Sequence, residues 1–331
     1  MTASAAVIVI THNSATVLES CLESLVGVCA ETVVVDNASS DESIRIARRH
    51  ALAGELQVVA NLGNRGFAGG ANDGFRASSA NCVLLLNPDA TLVHPANLDR
   101  MVSACEEYGL ASGLLIGLSD KPQIGFFARA LPTPVSMAFE VLGLNRLWPS
   151  NPINVRYRCL NLATDREAFV EQPAGAFLMI RRDVWKELNG LDETFHPVWF
   201  EDADFCRRAL DHGYKIRFVP SCVARHKGGD SVLRINDSVR GLLWYGSLLR
   251  YAAKHFGAPG FGAVCLAVAV GAVGRAVVGC LLSGVRPEIW SRTIRMYGCI
   301  LRLVIVSLWS GRVPPFDRSR VDGESVVTAV E

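Results

Sequence analysis

The 331-residue chain has almost no net charge, no closely spaced cysteine pair and no glycine or proline repeat. Each absence excludes something. With 33 Lys+Arg against 32 Asp+Glu, a net charge of +1 excludes a strongly basic nucleic-acid binder. Ten cysteines without one C-x-x-C pair exclude a zinc finger or a thioredoxin-type redox site. Scattered Gly and Pro exclude collagen and low-complexity sequence, and no segment repeats. The opening residues lack the basic and apolar regions of a secretory leader, so a cytoplasmic, reducing location is expected. What is present is core material. Half the residues are hydrophobic and 20% are charged, which excludes a disordered chain and allows one large domain or two ordinary ones.

The near-zero charge hides a split. Residues 1–224 hold 19 Lys+Arg and 25 Asp+Glu, residues 225–320 hold 14 and 4, and the last eleven residues add three acids. A mildly acidic body is thus followed by a basic, apolar C-terminal third.

The first hundred residues alternate short apolar runs with amphipathic stretches. AVIVIT (6–11), TVVVD (32–36), LQVVA (56–60) and CVLLLN (82–87) predict strands, with helices over 14–26, 41–51 and 66–78 between them. This is a βαβ pattern, which implies an α/β fold with a doubly wound, mostly parallel sheet and flanking helices. Further on, 95–107 and 200–212 read as helices and 111–118, 169–180, 215–220 and 222–226 as strands, while 119–168 reads as irregular. Residues 238–256 predict an aromatic, basic helix. The apolar stretch 260–285 is broken by Arg275, leaving 15 residues before it (260–274), short of the roughly 20 needed to cross a bilayer. Helices lying in the membrane interface, with Arg and Trp at headgroup depth, fit better, although a buried subdomain or a dimer interface would read alike.

In doubly wound sheets ligands bind beyond the carboxyl ends of the strands. Those ends here carry Thr11-His12-Asn13, Asp36-Asn37-Ala38-Ser39-Ser40-Asp41, the loop from Asn61 to Asn72, and Asn87-Pro88-Asp89. Each has a bland explanation as a helix cap or turn, and Ser40 or Asp41 does read as a cap. All four falling at one sheet edge favours a binding site. Gly63, Gly66, Gly69 and Gly70 form neither G-x-G-x-x-G nor a Walker loop, yet at a helix start beside Arg65 they admit a phosphate or ribose to backbone N–H groups. Asp89, assisted by Asn87, suits a hard divalent cation whose remaining shell is diphosphate and water. Glu201, Asp202 and Asp204 crowd three carboxylates into four residues; Asp204 pairs with Arg208 at i,i+4, and one of the others can serve as a general base. His226, followed by Lys-Gly-Gly, fits a diphosphate or metal cradle.

Taken in order, VIVITHN (7–13), VVVDNASSD (33–41), NLGNRGFAGGAN (61–72), LLLNPDA (84–90), GAFLMIRRDVWKELNGLDETF (175–195), WFEDADFCRR (199–208) and RHKGGDS (225–231) resemble the family 2 glycosyltransferases of GT-A fold, and most closely their bacterial rhamnosyltransferase-like branch. The resemblance covers about 225 residues. It implies that Thr11, Asn13 and Asp36 hold the base and ribose of a nucleoside diphosphate sugar, with Asn64, Arg65, Gly66, Asn72 and Asn87 along the same cleft. It implies Asp202 as catalytic base beside Glu201, and Gly175, Ala176 and Trp199 on the acceptor side. Asp89 and His226 would hold Mg2+ or Mn2+, with Asn87 standing where the family's D-x-D begins with an acid.

These readings predict a glycosyltransferase domain over 1–232, its nucleotide-sugar half about 1–95 and its acceptor half about 96–232. A helical, membrane-associated region follows over 233–315, then a flexible tail over 316–331. The expected activity is inverting transfer of L-rhamnose from dTDP-rhamnose, with a UDP-sugar as alternative donor. The expected acceptor is a polyprenyl-diphosphate-linked saccharide of cell-wall or surface-polysaccharide assembly, at the inner face of the cell membrane, with a homodimer left open. Two other classes compete. A nucleotidyltransferase would need a glycine-rich basic loop after the first strand, where THNSA stands. A non-catalytic membrane scaffold would not need the acidic triplet or Asp89.

Overall fold

The computed structural model describes residues 3–51, 54, 56–229, 235–282 and 287–314. They fall into two compact units. The first comprises 1–131, 156–197 and 201–234; the second comprises 132–155, 198–200 and 235–331. The expected tail over 316–331 and the end of the RHKGGDS motif lie outside the described residues.

The first unit begins with β1 (Ala3–Thr11), α1 (Ala15–Glu23), β2 (Cys29–Asp36), α2 (Ser43–Ala51), β3 (Leu56–Ala60), α3 (Gly66–Ala77) and β4 (Cys82–Leu86). Strands β1 and β4 are apolar on successive residues because both of their faces are covered: Val7, Ile8 and Val9, like Leu84 and Leu86, are fully buried. Then follow β5 (Ala90–Leu92), α4 (Leu98–Tyr108), β6 (Gly109–Ile116) and β7 (Ala128–Arg129). After the second unit's α5 (Pro134–Val141) and α6 (Leu144–Leu147), and after α7 (Pro152–Tyr157), the first unit continues with β8 (Ala168–Phe169), β9 (Gln172–Pro173), β10 (Phe177–Arg181), α8 (Arg182–Glu187), α9 (Glu201–Asp211) and β11 (Lys215–His226).

The main sheet runs β3-β2-β1-β4-β10-β6-β11-β5, with β8 on β11; β7 and β9 form a separate ribbon. It is parallel from β3 to β4 and again between β6 and β11, while β10 enters antiparallel to both β4 and β6. Register places the function-bearing ends together. Thr11 pairs with Asp36 and Asp36 with Ala60, while Leu86 closes β4 opposite Val9 and Phe177. The reversed direction of β10 thus brings Gly175 and Ala176, just before it, to the edge where β4 ends. His226, the last residue of β11, pairs with Ala90 just beyond Asp89. Two expected strands, 215–220 and 222–226, are one strand with a register shift between Val219 and Val223. The expected single strand over 169–180 divides into β8, β9 and β10, because turns at 170–171 and 174–176 interrupt the apolar run.

In the second unit Thr133 caps α5, accepting a hydrogen bond from Ser136 N at 3.1 Å and returning one from its own N to Ser136 Oγ at 2.9 Å. Three long helices follow: α10 (Asp237–His255), α11 (Gly257–Leu282) and α12 (Pro287–Ser310). Gly271 lets α11 approach the Val141 carbonyl at the end of α5. Phe200 packs against Trp244 and Tyr251 of α10, with ring centroids 6.0 and 5.6 Å apart. Residues 257–282 and 290–310 are each long and apolar enough to cross a membrane, and most of their apolar residues are not buried. All ten cysteines are free thiols.

Candidate active site

The first constellation lies beyond β1 and β2. Thr11 and Asp36 are buried, and Thr11 Oγ1 and Asp36 Oδ1 have no hydrogen-bond partner, while Asp36 Oδ2 accepts from Ser39 N at 3.0 Å. Buried polar atoms without partners are costly, and these two stand at the paired ends of adjacent strands. Asn13 takes φ +53° and braces the facing loop: its Oδ1 accepts from Ser40 N at 2.7 Å and its N donates to Ser39 Oγ at 2.9 Å. Asp41 performs the expected capping, accepting from Ser43 N at 2.9 Å.

The glycine loop is attached to that edge by Asn37, which stands in VVVDNASSD without a role of its own there. Asn37, buried next to Asp36, donates from Nδ2 to the Gly66 carbonyl at 2.9 Å and accepts from Asn61 Nδ2 at 2.9 Å. Asn64 accepts from Gly66 N at 2.8 Å. Gly66 adopts φ +69°, and a Cβ there would lie 2.6 Å from the Pro197 carbonyl oxygen. Arg65 and Asn72 turn to protein partners. Arg65 meets Asp73 at 2.6 Å and Glu193 at 2.8 Å, and Asn72 exchanges hydrogen bonds with the Leu191 backbone at 3.0 Å and donates to Glu193 at 3.0 Å. Both side chains thereby tie the glycine helix to the 191–193 loop.

The second constellation joins β4, β5 and β11. Asp89 is half-buried; its Oδ2 accepts from Gly228 N at 3.0 Å and its Oδ1 lies 3.3 Å from His226 Nε2. Burial would raise its pKa, but the hydrogen bond and charge of His226 and the Gly228 N–H outweigh burial and hold it below the usual carboxylate value. Asn87 Nδ2 stands 3.4 Å from the same His226 Nε2. Among the described residues no group of three His, Cys, Asp or Glu side chains gathers as a metal cage. A carboxylate, an imidazole nitrogen and an adjacent amide do fit a hard cation that keeps phosphate and water ligands.

The third constellation is the start of α9. Asp202 Oδ2 accepts from Gly175 N at 3.1 Å and its Oδ1 from Ala203 N at 2.7 Å. Burial pushes its pKa up despite those N–H groups. Glu201 is buried deeper, and burial followed by the charges of Asp202 and Asp204 drives its pKa well above the usual carboxylate value. Asp204 pairs with Arg208 at 2.8 Å, the structural role expected of it. Gly175 has Phe67 and Asp202 against it, where a Cβ would meet them at 3.3 and 3.4 Å. The Ala176 carbonyl accepts from Asn87 N at 3.1 Å, linking the Asp202 and Asp89 constellations. Trp199 belongs to the second unit, half-buried with φ +84°.

This arrangement, a mixed sheet with its polar groups gathered beyond β1, β2, β4 and β11, has the GT-A fold. Residues 6–162 match the model for Glycosyl transferase family 2, and residues 158–228 match that for the N-terminal domain of galactosyltransferase. The chain is 26% identical over 209 residues to the low-salt glycan biosynthesis hexosyltransferase Agl10 of Haloferax volcanii, covering 61% of this chain and 60% of the relative. It is 25% identical over 261 residues to the pre-mycofactocin glycosyltransferase of Mycobacterium tuberculosis, covering 75% of this chain and 47% of the relative. The chain therefore spans about half to three fifths of the length of these relatives. Among solved structures it resembles the mannosyltransferase PcManGT of Pyrobaculum calidifontis in complex with GDP-Man and Mn2+ (TM-score 0.52, 18% identity, 93% and 88% of the two chains). It also resembles GalNAc-T7 with UDP, GalNAc and Mn2+ (TM-score 0.54, 16% identity, 76% and 50%). The last two likenesses establish the fold.

Proposed function

We propose that this protein is a metal-dependent, inverting glycosyltransferase that moves a hexose from a nucleoside diphosphate sugar to a lipid-linked saccharide. The observation that carries the reading is the pairing of a carboxylate with raised pKa, Asp202, with a second acid, Asp89, held ionised beside His226, the two joined through Gly175, Ala176 and Asn87. Burial makes Asp202 a stronger base than an ordinary carboxylate while Asp89 is kept negative, the division of labour this chemistry needs.

Thr11 and Asp36 receive the nucleoside through their unpartnered oxygens, and Asn13 keeps the facing loop in place. Asn37 and Asn64 set the Gly66 turn, so that backbone N–H groups at the start of α3 meet the phosphates. Asp89 and His226, with Asn87 beside them, would hold Mg2+ or Mn2+, which supplies positive charge against the departing diphosphate. Asp202 takes the proton of the acceptor hydroxyl as that oxygen attacks the anomeric carbon in line; one displacement inverts the anomer. Gly175 brings its N–H to Asp202 and lets Phe67 pack close beside it, and Gly175, Ala176 and Trp199 are assigned to the acceptor side.

We take the donor to be dTDP-L-rhamnose, with a UDP-sugar as the second choice, and the acceptor to be a polyprenyl-diphosphate saccharide of cell-wall or surface-polysaccharide assembly. The apolar helices α11 and α12 support an enzyme held at the inner face of the cell membrane, where such an acceptor resides. Incubating the full chain with dTDP-rhamnose, UDP-hexoses or GDP-mannose, Mg2+ or Mn2+, and a short-chain polyprenyl-diphosphate saccharide tests this. Transfer from dTDP-rhamnose is expected; transfer from another donor alone overturns the sugar assignment, and no transfer or donor hydrolysis with any donor overturns the activity.

A further inference from the structure

One side chain bound to the Asp89–His226 pair has no place in the sequence motifs. Gln123 sits in the loop after β6, whose backbone is folded back by hydrogen bonds from Gln123 N to the Leu115 carbonyl at 2.9 Å and from Gly117 N to the Lys121 carbonyl at 2.9 Å. Arg225 fastens the same loop through Asp120 at 2.5 Å, one residue before His226.

The two ends of the Gln123 amide face different chemistry. One end lies 2.8 Å from the main-chain carbonyl oxygen of His226. A carbonyl only accepts, so this end must be the NH2 group. The other end, Oε1, therefore faces His226 Nδ1 at 3.0 Å. An amide oxygen also only accepts, so Nδ1 must carry a hydrogen. Phe126, from the same loop, stacks on the imidazole with centroids 5.2 Å apart and planes 14° apart, which fixes the ring plane. With the plane and Nδ1 fixed, Nε2 points to Asp89 Oδ1 and Asn87 Nδ2.

We propose that Gln123 is a positioning residue for the diphosphate and cation end of the site: it reads both the backbone and the ring of His226, holds the hydrogen on Nδ1, and so presents Nε2 toward Asp89. Gln123 touches neither substrate nor cation. The inference rests on the proposed function for what Nε2 finally meets, but the clamp itself is a property of the chain alone.

Two readouts on the full chain separate these levels. The first is the 15N spectrum of the histidines without metal, His226 being assigned by its loss in His226→Gln. Wild type is expected to show hydrogen-bearing Nδ1 and Gln123→Leu to lose the preference; Gln123→Glu keeps an oxygen for the ring N–H but loses the N–H donated to the His226 carbonyl, so it is expected to preserve the hydrogen on Nδ1 while loosening the backbone contact. The second is Mn2+ binding in the presence of UDP, with affinity expected to fall about 10- to 100-fold in Gln123→Leu, the usual effect of losing the partner that orients a metal-binding imidazole, and less in Gln123→Glu. An Nδ1 without hydrogen in the wild type, or a Gln123→Leu protein with unchanged His226 signals and unchanged Mn2+ affinity, overturns the clamp. Wild type that binds no Mn2+ with UDP while its His226 signals still depend on Gln123 overturns the metal assignment and upholds the clamp.

Discussion

At the scale of single residues the two neighbours Glu201 and Asp202 separate by environment rather than by type. Both are carboxylates at the start of one helix, but Glu201 is buried with its Oε2 unpartnered, while Asp202 is half-buried and bonded to Gly175 N. The raised pKa of Glu201 makes a stability prediction. A group whose folded pKa lies above its unfolded value, about 4.3 for Glu, stabilises fully below that value, and the contribution is lost as pH rises through the folded pKa. Glu201→Gln should therefore melt at higher temperature than wild type at pH 7, with the difference vanishing near pH 4. Equal melting curves at both values would show that Glu201 is not strained. Asp36 is tested by binding: losing a charged acceptor costs about 1.5–3 kcal/mol, so Asp36→Asn should weaken UDP binding by about 10- to 100-fold by calorimetry with little change in melting.

The ends of the strands were legible in the sequence because short apolar runs stop abruptly at polar residues, and Thr11, Asp36, Asp89 and His226 stand out in that way, whereas Asp202 stands out by the crowding of carboxylates at the start of a helix. The residues that arrange them were not. Asn37, Gln123 and Glu193 have side chains common in any loop, and their importance comes from partners 103 to 128 positions away in the chain or on a neighbouring strand end. Glu193 had one visible signal, its place in the GLDETF segment next to the acidic helix. Arg65 and Asn72 show the opposite case. Their position in a glycine-rich loop implied ligand contact, whereas geometry turns both toward Glu193.

At the scale of elements the alternation made the first four strands and their parallel direction legible, while the order of the sheet and the reversal at β10 were not. A strand buried on both faces, such as Phe177–Ile180, has the same apolar pattern whether it runs parallel or antiparallel, so the reversal at β10 is decided by tertiary packing. The glycine helix carries two tests. Gly66→Ala puts a Cβ 2.6 Å from the Pro197 carbonyl oxygen at φ +69°, and a destabilisation of at least about 1–3 kcal/mol is expected in denaturant melts. A change within error would mean that the 196–197 turn gives way freely. Asn72→Ala leaves the Leu191 backbone unpaired where it is buried, for a loss of about 1–3 kcal/mol per group.

At the scale of the whole molecule, the +1 net charge averages an acidic body and a basic, apolar C-terminal third. In α11 the exposed side chains Leu266, Val270, Val273, Val277, Leu281 and Leu282 form an apolar face, interrupted in sequence only by Arg275. Twenty-six helical residues extend about 39 Å, more than the ~30 Å of a hydrocarbon core. Apolar residues counted only up to Arg275 favour helices lying in the interface; the length of α11 also suffices for crossing. Because apolar burial is not screened by salt, the full chain should stay with anionic phospholipid vesicles in 1 M NaCl during flotation, and a chain truncated after residue 256 should not. Release of the full chain by salt would reduce the attachment to surface charge.

The central claim is that Asp202 is the base for sugar transfer in a site that binds its donor independently. The most direct measurement compares wild type with Asp202→Asn, following sugar transfer to the lipid acceptor in one assay and nucleotide-sugar binding by calorimetry in another. The account predicts transfer reduced by at least about a thousandfold, within the range a positioned general base contributes, with donor affinity unchanged within about threefold. Near-normal transfer by Asp202→Asn, with donor binding intact, would contradict it.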